Sequence, residues 1–455
     1  MAIINYRSVS VTVLAMLVMS GAVEVGTRFQ STSLDKNRQI FPVTPSARVG
    51  ALELSVREAL ESIVPSLRQQ RFPTEAVRAI GRSGDGRLLW YLYDLHWFVT
   101  RTSQATLVEA FEELSGAGLP EDPFTVMGDR VLAWDLPEPP DYRLFKRDLF
   151  LFIEPRWGAF FDDDDSAIDW RLVGWGGVFI DDRLDATLGQ ICPRGCIPAL
   201  DEPAVTDAAG GAWYPDEALV FGVVIEGEAR AYPKNIMEVH EMVNDTLGGR
   251  RIAIPYCTLC LSAQAYFTDE LEGFRPRLRT SGLLSRSNKF MYDINTFSAI
   301  DTFTGRALSG PLFDAGIHFN QTTVVTSTWA TWRNAHPETT IIAGDGGIGR
   351  SYPNNPLRGR DDAGPIFPVG DVDPRLGVHD VVLGVVAADG RPVAFPVGAA
   401  RLALEAGETV AVAGVALRTD AGGLRAVNNG FEVSAHEAFW FAWSQFQPQT
   451  LLWER

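Results

Sequence analysis

One stretch of this chain occurs twice. Residues 221–233 (FGVVIEGEARAYP) return at 383–396 (LGVVAADGRPVAFP) with one inserted residue. Each copy reads as two strands joined at a turn, Glu226-Gly227 in the first and Asp389-Gly390 in the second. That pattern predicts a β-hairpin each time. A similar second unit follows each copy, at 251–254 and at 409–412. A repeated hairpin unit of this kind restricts residues 197–430 to two related modules of short strands with many Gly and Pro turns. Only the first module carries cysteines, which points to it as the functional copy.

The N-terminal part follows a different period. Leu52, Leu60, Ile63 and Leu67 keep approximate helical spacing. Thr74 is placed to start a helix carrying Val77 and Ile80, which Gly81 ends. Residues 87–100 are apolar on several faces and predict a buried helix. Ser103 and Gly116 bracket another, with Leu107, Phe111 and Leu114 on one face. The expected fold class is therefore α+β: a small, repeat-like helical unit (51–120), then a mainly-β C-terminal part with an internal duplication and a few short helices. Between them, residues 121–196 form a Trp- and Asp-rich connecting region. The first β module is expected over 197–345 and the second, with the C-terminal segment, over 346–455. The run Asp162 to Asp165 reads as a solvated loop, because calcium sites space their carboxylates around a turn.

Residues 8–23 form an uncharged, mostly apolar run after Arg7, with small residues at Ser20 and Ala22. Residues 1–22 thus read as a cleavable export signal, or as an uncleaved anchor lengthened by Ile3 and Ile4, followed by a linker at 23–50. The expected location is exported, periplasmic or otherwise extracytoplasmic, with membrane contact only through this segment. With 40 Lys+Arg against 57 Asp+Glu, the formal charge of -17 repels phosphate backbones and excludes nucleic acid as a partner. The sequence names no other partner. It carries no Gly-rich phosphate loop, nucleophile elbow or zinc-protease helix.

The four cysteines fall in two close pairs, Cys192/Cys196 and Cys257/Cys260. The first pair is a candidate local disulfide, as an oxidising compartment favours. After Cys260, Leu261, Ala263, Ala265 and Phe267 alternate with Ser262, Gln264 and Tyr266, which is a strand rather than a helix. A thioredoxin-like site would put its first cysteine at a helix N-terminus. Strand, Cys-x-x-Cys turn and strand is the layout of a metal knuckle, so Cys257 and Cys260 are candidate ligands for a transition metal, copper or zinc. Such a site needs at least a third ligand. Pro233 suits a helix start, and a helix running on would put Ile236, His240 and Asn244 on one face. His240 is the candidate third ligand. Glu241, Asn244 and Asp245 are candidate catalytic or proton-handling groups.

Further segments carry a resemblance to a known family. They include Ile197 to Asp201, Gly227 to Pro233, His240-Glu241, Val243 to Asp245, and Tyr256-Cys257 with Leu259-Cys260. Ser281 to Leu284, Met291 to Asp293, Thr304-Gly305 and Thr328 to Trp332 with His336-Pro337 extend it. On these the chain resembles the bacterial proteins grouped as "domain of unknown function 3179". The resemblance implies export and brings no reaction with it. The family pattern reads Cys-Pro-Leu-Cys-Gly, where this chain has Thr258 and Leu261. It reads Tyr-Asn-Ser where this chain has Ser285, Arg286 and Ser287, and often Trp where this chain has Ile300. Three functions stay open: transition-metal binding, thiol–disulfide redox chemistry at Cys257/Cys260, and a binding or structural role with inert disulfides.

Overall fold

The computed structural model describes residues 41–183, 195–271, 273–359 and 364–455. The export or anchor segment and Cys192 lie outside the described residues. Among those described, no helix is long and apolar enough to cross a membrane. The chain divides into two compact units.

The first unit runs to Phe161, with Asp169–Gly177 and Phe367–Asp371. It is helical: α1 (Leu54–Arg68), α2 (Thr74–Gly81), α3 (Leu89–Asp94), α4 (Gln104–Ser115), α5 (Pro123–Trp134) and α6 (Tyr142–Ile153). Gly116 ends α4 in the left-handed conformation that glycine allows without a Cβ penalty. The buried helix expected over 87–100 is instead α3 flanked by two 3-10 turns. Residues 121–161, read from sequence as a connecting region, carry two twelve-residue helices, α5 and α6. The prolines between them mask their periodicity. Their core buries a charged pair, Asp94 and Lys146, at 3.1 Å. Tyr142 Oη donates to Asp94 at 2.7 Å and Lys146 Nζ to the Trp170 carbonyl at 2.8 Å, so both charges are hydrogen-bonded as burial requires.

The second unit contains both segments that are alike in sequence, termed the first and the second copy. Its first copy runs β1 (Leu219–Ile225), β2 (Glu228–Pro233), α7 (Lys234–His240), β3 (Met242–Leu247) and β4 (Arg250–Cys257). Past the cysteine turn come β5 (Ser262–Ala263), β6 (Ala265–Phe267), and the hairpin β7 (Leu278–Ser285) and β8 (Asn288–Asp293). The copy closes with β9 (Val325–Thr328), α8 (Trp329–Ala335) and β10 (Thr340–Ile342). The second copy runs β11 (Val381–Val386), β12 (Pro392–Pro396), α9 (Val397–Glu405), β13 (Ala411–Val412), β14 (Val415–Asp420) and β15 (Gly423–Asn428). It closes with β16 (Ala435–Phe439), α10 (Trp440–Phe446) and β17 (Leu451–Leu452). The unit is α+β, as the sequence predicts.

Two sheets share one strand order. The first reads β9-β1-β2-β10, with Val205–Asp207 beyond it, and the second reads β16-β11-β12-β17. β10 is parallel to β2 and β17 is parallel to β12, and the other neighbours in both sheets are antiparallel. Each closing helix lays a tryptophan on a glycine of the central strand. A Cβ on Gly222 would meet Trp332 at 2.2 Å, and one on Gly384 would meet Trp443 at 2.1 Å. Each indole N–H then reaches a threonine, Thr339 at 2.9 Å and Thr450 at 2.8 Å. Residues 409–412, matched in sequence to 251–254, overlap β13, which takes the place of β3. The counterpart of β4 is β14. Each copy also touches the other at its closing corner: Phe439 N–H donates to the Cys260 carbonyl at 2.8 Å, and Ser327 Oγ donates to the Ala421 carbonyl.

Candidate functional site

The site grows from the end of β4. Cys257 is its last residue, and the turn closes through Cys260 N–H to the Cys257 carbonyl at 3.2 Å. Strand β5 then pairs back on β4, with Cys257 opposite Ser262. The strand expected after the cysteine turn is present. Leu261, where the family pattern has glycine, holds φ +51°, and Arg286, where it has asparagine, holds φ +53°. Both backbones keep the left-handed form that glycine and asparagine favour, at a cost of about 1–2 kcal/mol for other residues.

Both thiols are free and buried, with Cys257 1% and Cys260 0% exposed. The Ser287 carbonyl lies 3.6 Å from Cys260 Sγ and 4.0 Å from Cys257 Sγ. Strand β8 supplies Lys289, whose backbone N–H favours the Cys257 thiolate. Lys289 Nζ donates to the Glu241 carbonyl and sits 3.7 Å from Glu241 Oε2. Thr258 Oγ1 donates to Glu241 Oε1 at 3.0 Å. Glu241 turns out of α7 at φ +51°, so its side chain points at the cysteine turn. Among the described residues, Ser262 Oγ, Ser287 Oγ and Asn288 Oδ1 are buried without a partner. Buried polar atoms left so beside two thiols are places for a polar ligand or water.

The two thiols are not alike. Burial raises the Cys257 thiol, but the Cys260 S–H, the Lys289 N–H and the Lys289 ammonium outweigh burial and the Glu241 charge, holding it below its ordinary value. Burial, with the Cys257 and Glu241 charges behind it, pushes Cys260 well above. Burial also lowers the Lys289 ammonium, against the pull of Glu241 and Cys257.

The other sequence candidates lie elsewhere. His240 is wholly buried, with Nδ1 2.7 Å from the Pro198 carbonyl and Nε2 2.7 Å from Tyr352 Oη. A carbonyl only accepts, so Nδ1 carries the proton and Nε2, the one lone pair, takes the Tyr352 hydroxyl. Burial lowers the His240 pKa to about 4, so the ring is neutral at pH 7. Its lone pair is committed to Tyr352 rather than to the cysteines. Among the described residues, no three His, Cys, Asp or Glu side chains converge as a metal site. Asn244 does not share a helix face with His240, because α7 ends at His240 and Asn244 lies on β3. Its amide clamps Leu278 N–H at 2.9 Å, the Leu278 carbonyl at 3.1 Å and Asp201 at 2.8 Å. Asp245 accepts from Arg230 and from Tyr232, both at 2.7 Å. Glu241 alone of the proposed acid–base groups reaches the thiols' surroundings. The partner of Cys196 in the proposed disulfide, Cys192, lies outside the described residues.

Lys289 escaped the sequence reading. Its signal was a lone lysine in the run Asn-Lys-Phe-Met-Tyr-Asp at 288–293, and burial of every residue of that strand turns it into a buried cation. A family model described as "Protein of unknown function (DUF3179)" matches residues 194–430, just over half of the 455 residues. No curated protein and no solved structure matches the chain.

Proposed function

For a chain that belongs to the family of domain of unknown function 3179, we propose thiol–disulfide exchange, with Cys257 as the attacking thiolate and Cys260 as the resolving thiol. The observation that carries it is the pair of unlike free thiols beside Lys289. A thiolate is the nucleophile in exchange, and a neighbouring cation and N–H donors are what favour it. Cys257 Sγ attacks one sulfur of a substrate disulfide and expels the other as thiolate. Cys260 then attacks Cys257 Sγ, its proton passing to the leaving thiolate. The chain ends oxidised and the substrate reduced by two electrons. Burial of both thiols favours a small disulfide over a folded partner. Export, read from the N-terminal run, would place the site where disulfides form.

The shared strand order and the matching tryptophan–glycine contacts support reading the second sheet as a repeat of the first. In that repeat the tight turn Ala421-Gly422 stands where the cysteine turn stands. The second copy would be scaffold, closing over the first at Phe439. A transition metal at the dithiol would need a third ligand other than His240. The test is redox titration of the purified chain in glutathione buffers, scoring the Cys257–Cys260 disulfide by mass spectrometry, with bound metal counted on the same sample. The reading expects a midpoint between about -270 and -180 mV. A midpoint below about -300 mV marks a structural disulfide and refutes it. So does one copper or zinc per chain that is lost in Cys257→Ser/Cys260→Ser.

A further inference from the structure

A second polar cluster surrounds His240 and is not used by the dithiol. Its centre is Arg350, whose guanidinium lies over the Tyr352 ring, 5.8 Å from the centroid. Arg350 Nη1 is buried and has no hydrogen-bond partner among the described residues. Its backbone is fixed, through N–H to the Asp345 carbonyl at 3.2 Å. The titratable groups close enough to act on it are the Tyr352 phenol and another cation, Arg183. Burial and that like charge lower the Arg350 pKa, and both arginines act on His240 as well.

The carboxylates nearby are already occupied. Asp345 accepts from Gly347 N–H at 2.8 Å. Asp181 holds Arg183 Nε at 2.8 Å and also takes Ala199 N–H at 2.8 Å. Two guanidiniums thus share one region, and one has an idle buried N–H. Leaving such a group unmade is costly, and guanidinium forks match the planar or tetrahedral oxygens of carboxylate and phosphate. The Tyr352 hydroxyl is spent on His240, so the ring acts as a wall and Arg350 as the donor, with Arg183 adding positive charge nearby.

We propose that Arg350, with the Arg183 charge beside it, binds a small oxyanion, a phosphate or carboxylate group, against the Tyr352–His240 pair. The proposal is independent of the dithiol chemistry. It is tested by thermal unfolding and calorimetric titration of the full chain with inorganic phosphate and, separately, with acetate, chloride holding the ionic strength constant. The expected result is a saturable rise in Tm with one of the two anions, which also names the preferred group. Arg350→Gln is expected to weaken that binding about tenfold or more. In chloride alone, Arg350→Gln is expected to melt no lower than the wild type, since it removes an unpaired cation. A wild type indifferent to both anions overturns the proposal, as does an Arg350→Gln chain that keeps the full shift. An Arg350→Gln chain that melts lower in chloride, or does not fold, also overturns it, because the guanidinium would then be satisfied by the fold itself.

Discussion

Lys289→Met isolates the ammonium's share in making Cys257 the more acidic thiol. Methionine keeps most of the buried stem and removes the ammonium. The backbone N–H of residue 289 and the Cys260 S–H stay in place, so the thiolate loses one of its three supports. Two unit charges a few Å apart attract by about 3–4 kcal/mol at an effective dielectric near 20. Glu241, 3.7 Å from the ammonium, opposes that attraction at the thiolate. Glu241 stays in the variant and the ammonium is the smallest of the three supports, so about half of the full attraction is taken as the loss, about 1.4–2 kcal/mol or about 10- to 30-fold in thiolate population. The assay is the alkylation rate of Cys257 in the reduced, folded protein at pH 7, resolved from Cys260 by mass spectrometry. A 10- to 30-fold slower rate is expected. Lys289→Met/Glu241→Gln removes both charges and should return the rate toward the wild type. A folded Lys289→Met chain alkylated at the wild-type rate would refute the electrostatic reasoning.

Other consequences follow from the same structure. Burial depresses the His240 and His436 pKa values to about 4, from an ordinary 6.5. A base depressed in the folded state adds stability above pH 6.5 that is lost as pH falls toward 4, up to about 3 kcal/mol each; urea midpoints should drop steeply over that window, less so in His436→Gln. In the helical unit, Lys146→Met strands Asp94 and should cost about 3–5 kcal/mol, while Lys146→Met/Asp94→Asn recovers much of it in urea unfolding. Gly222→Ala and Gly384→Ala each force a Cβ into an indole and should cost about 1–3 kcal/mol, read the same way.

The local parts of this fold could be read from the residues. Both hairpins, the helix starting after Pro233, the helix between Ser103 and Gly116, and the strand after Cys260 stand where periodicity and turn residues put them. What escaped is non-local. Strands β10 and β17 have three and two residues and pair in parallel across long connections, so no alternation announces them. Helix α7 stops at Glu241 through a positive φ without a glycine to mark it, which is why Asn244 seemed to continue the His240 face. The cysteine site was visible as a motif. Its chemistry was not, because Lys289 reaches Cys257 from a strand that follows in sequence only after the hairpin turn at Arg286. His240, adjacent to Glu241 in sequence, belongs to a different cluster for the same reason: the turn at Glu241 sends the two side chains to different neighbours.

The most direct test of the dithiol account is the pH dependence of alkylation for each cysteine of the wild-type chain, followed separately by mass spectrometry. The account predicts that Cys257 becomes reactive below the ordinary thiol midpoint, and Cys260 only well above it. Two thiols that titrate together at the ordinary value, or Cys260 reacting first, would contradict it.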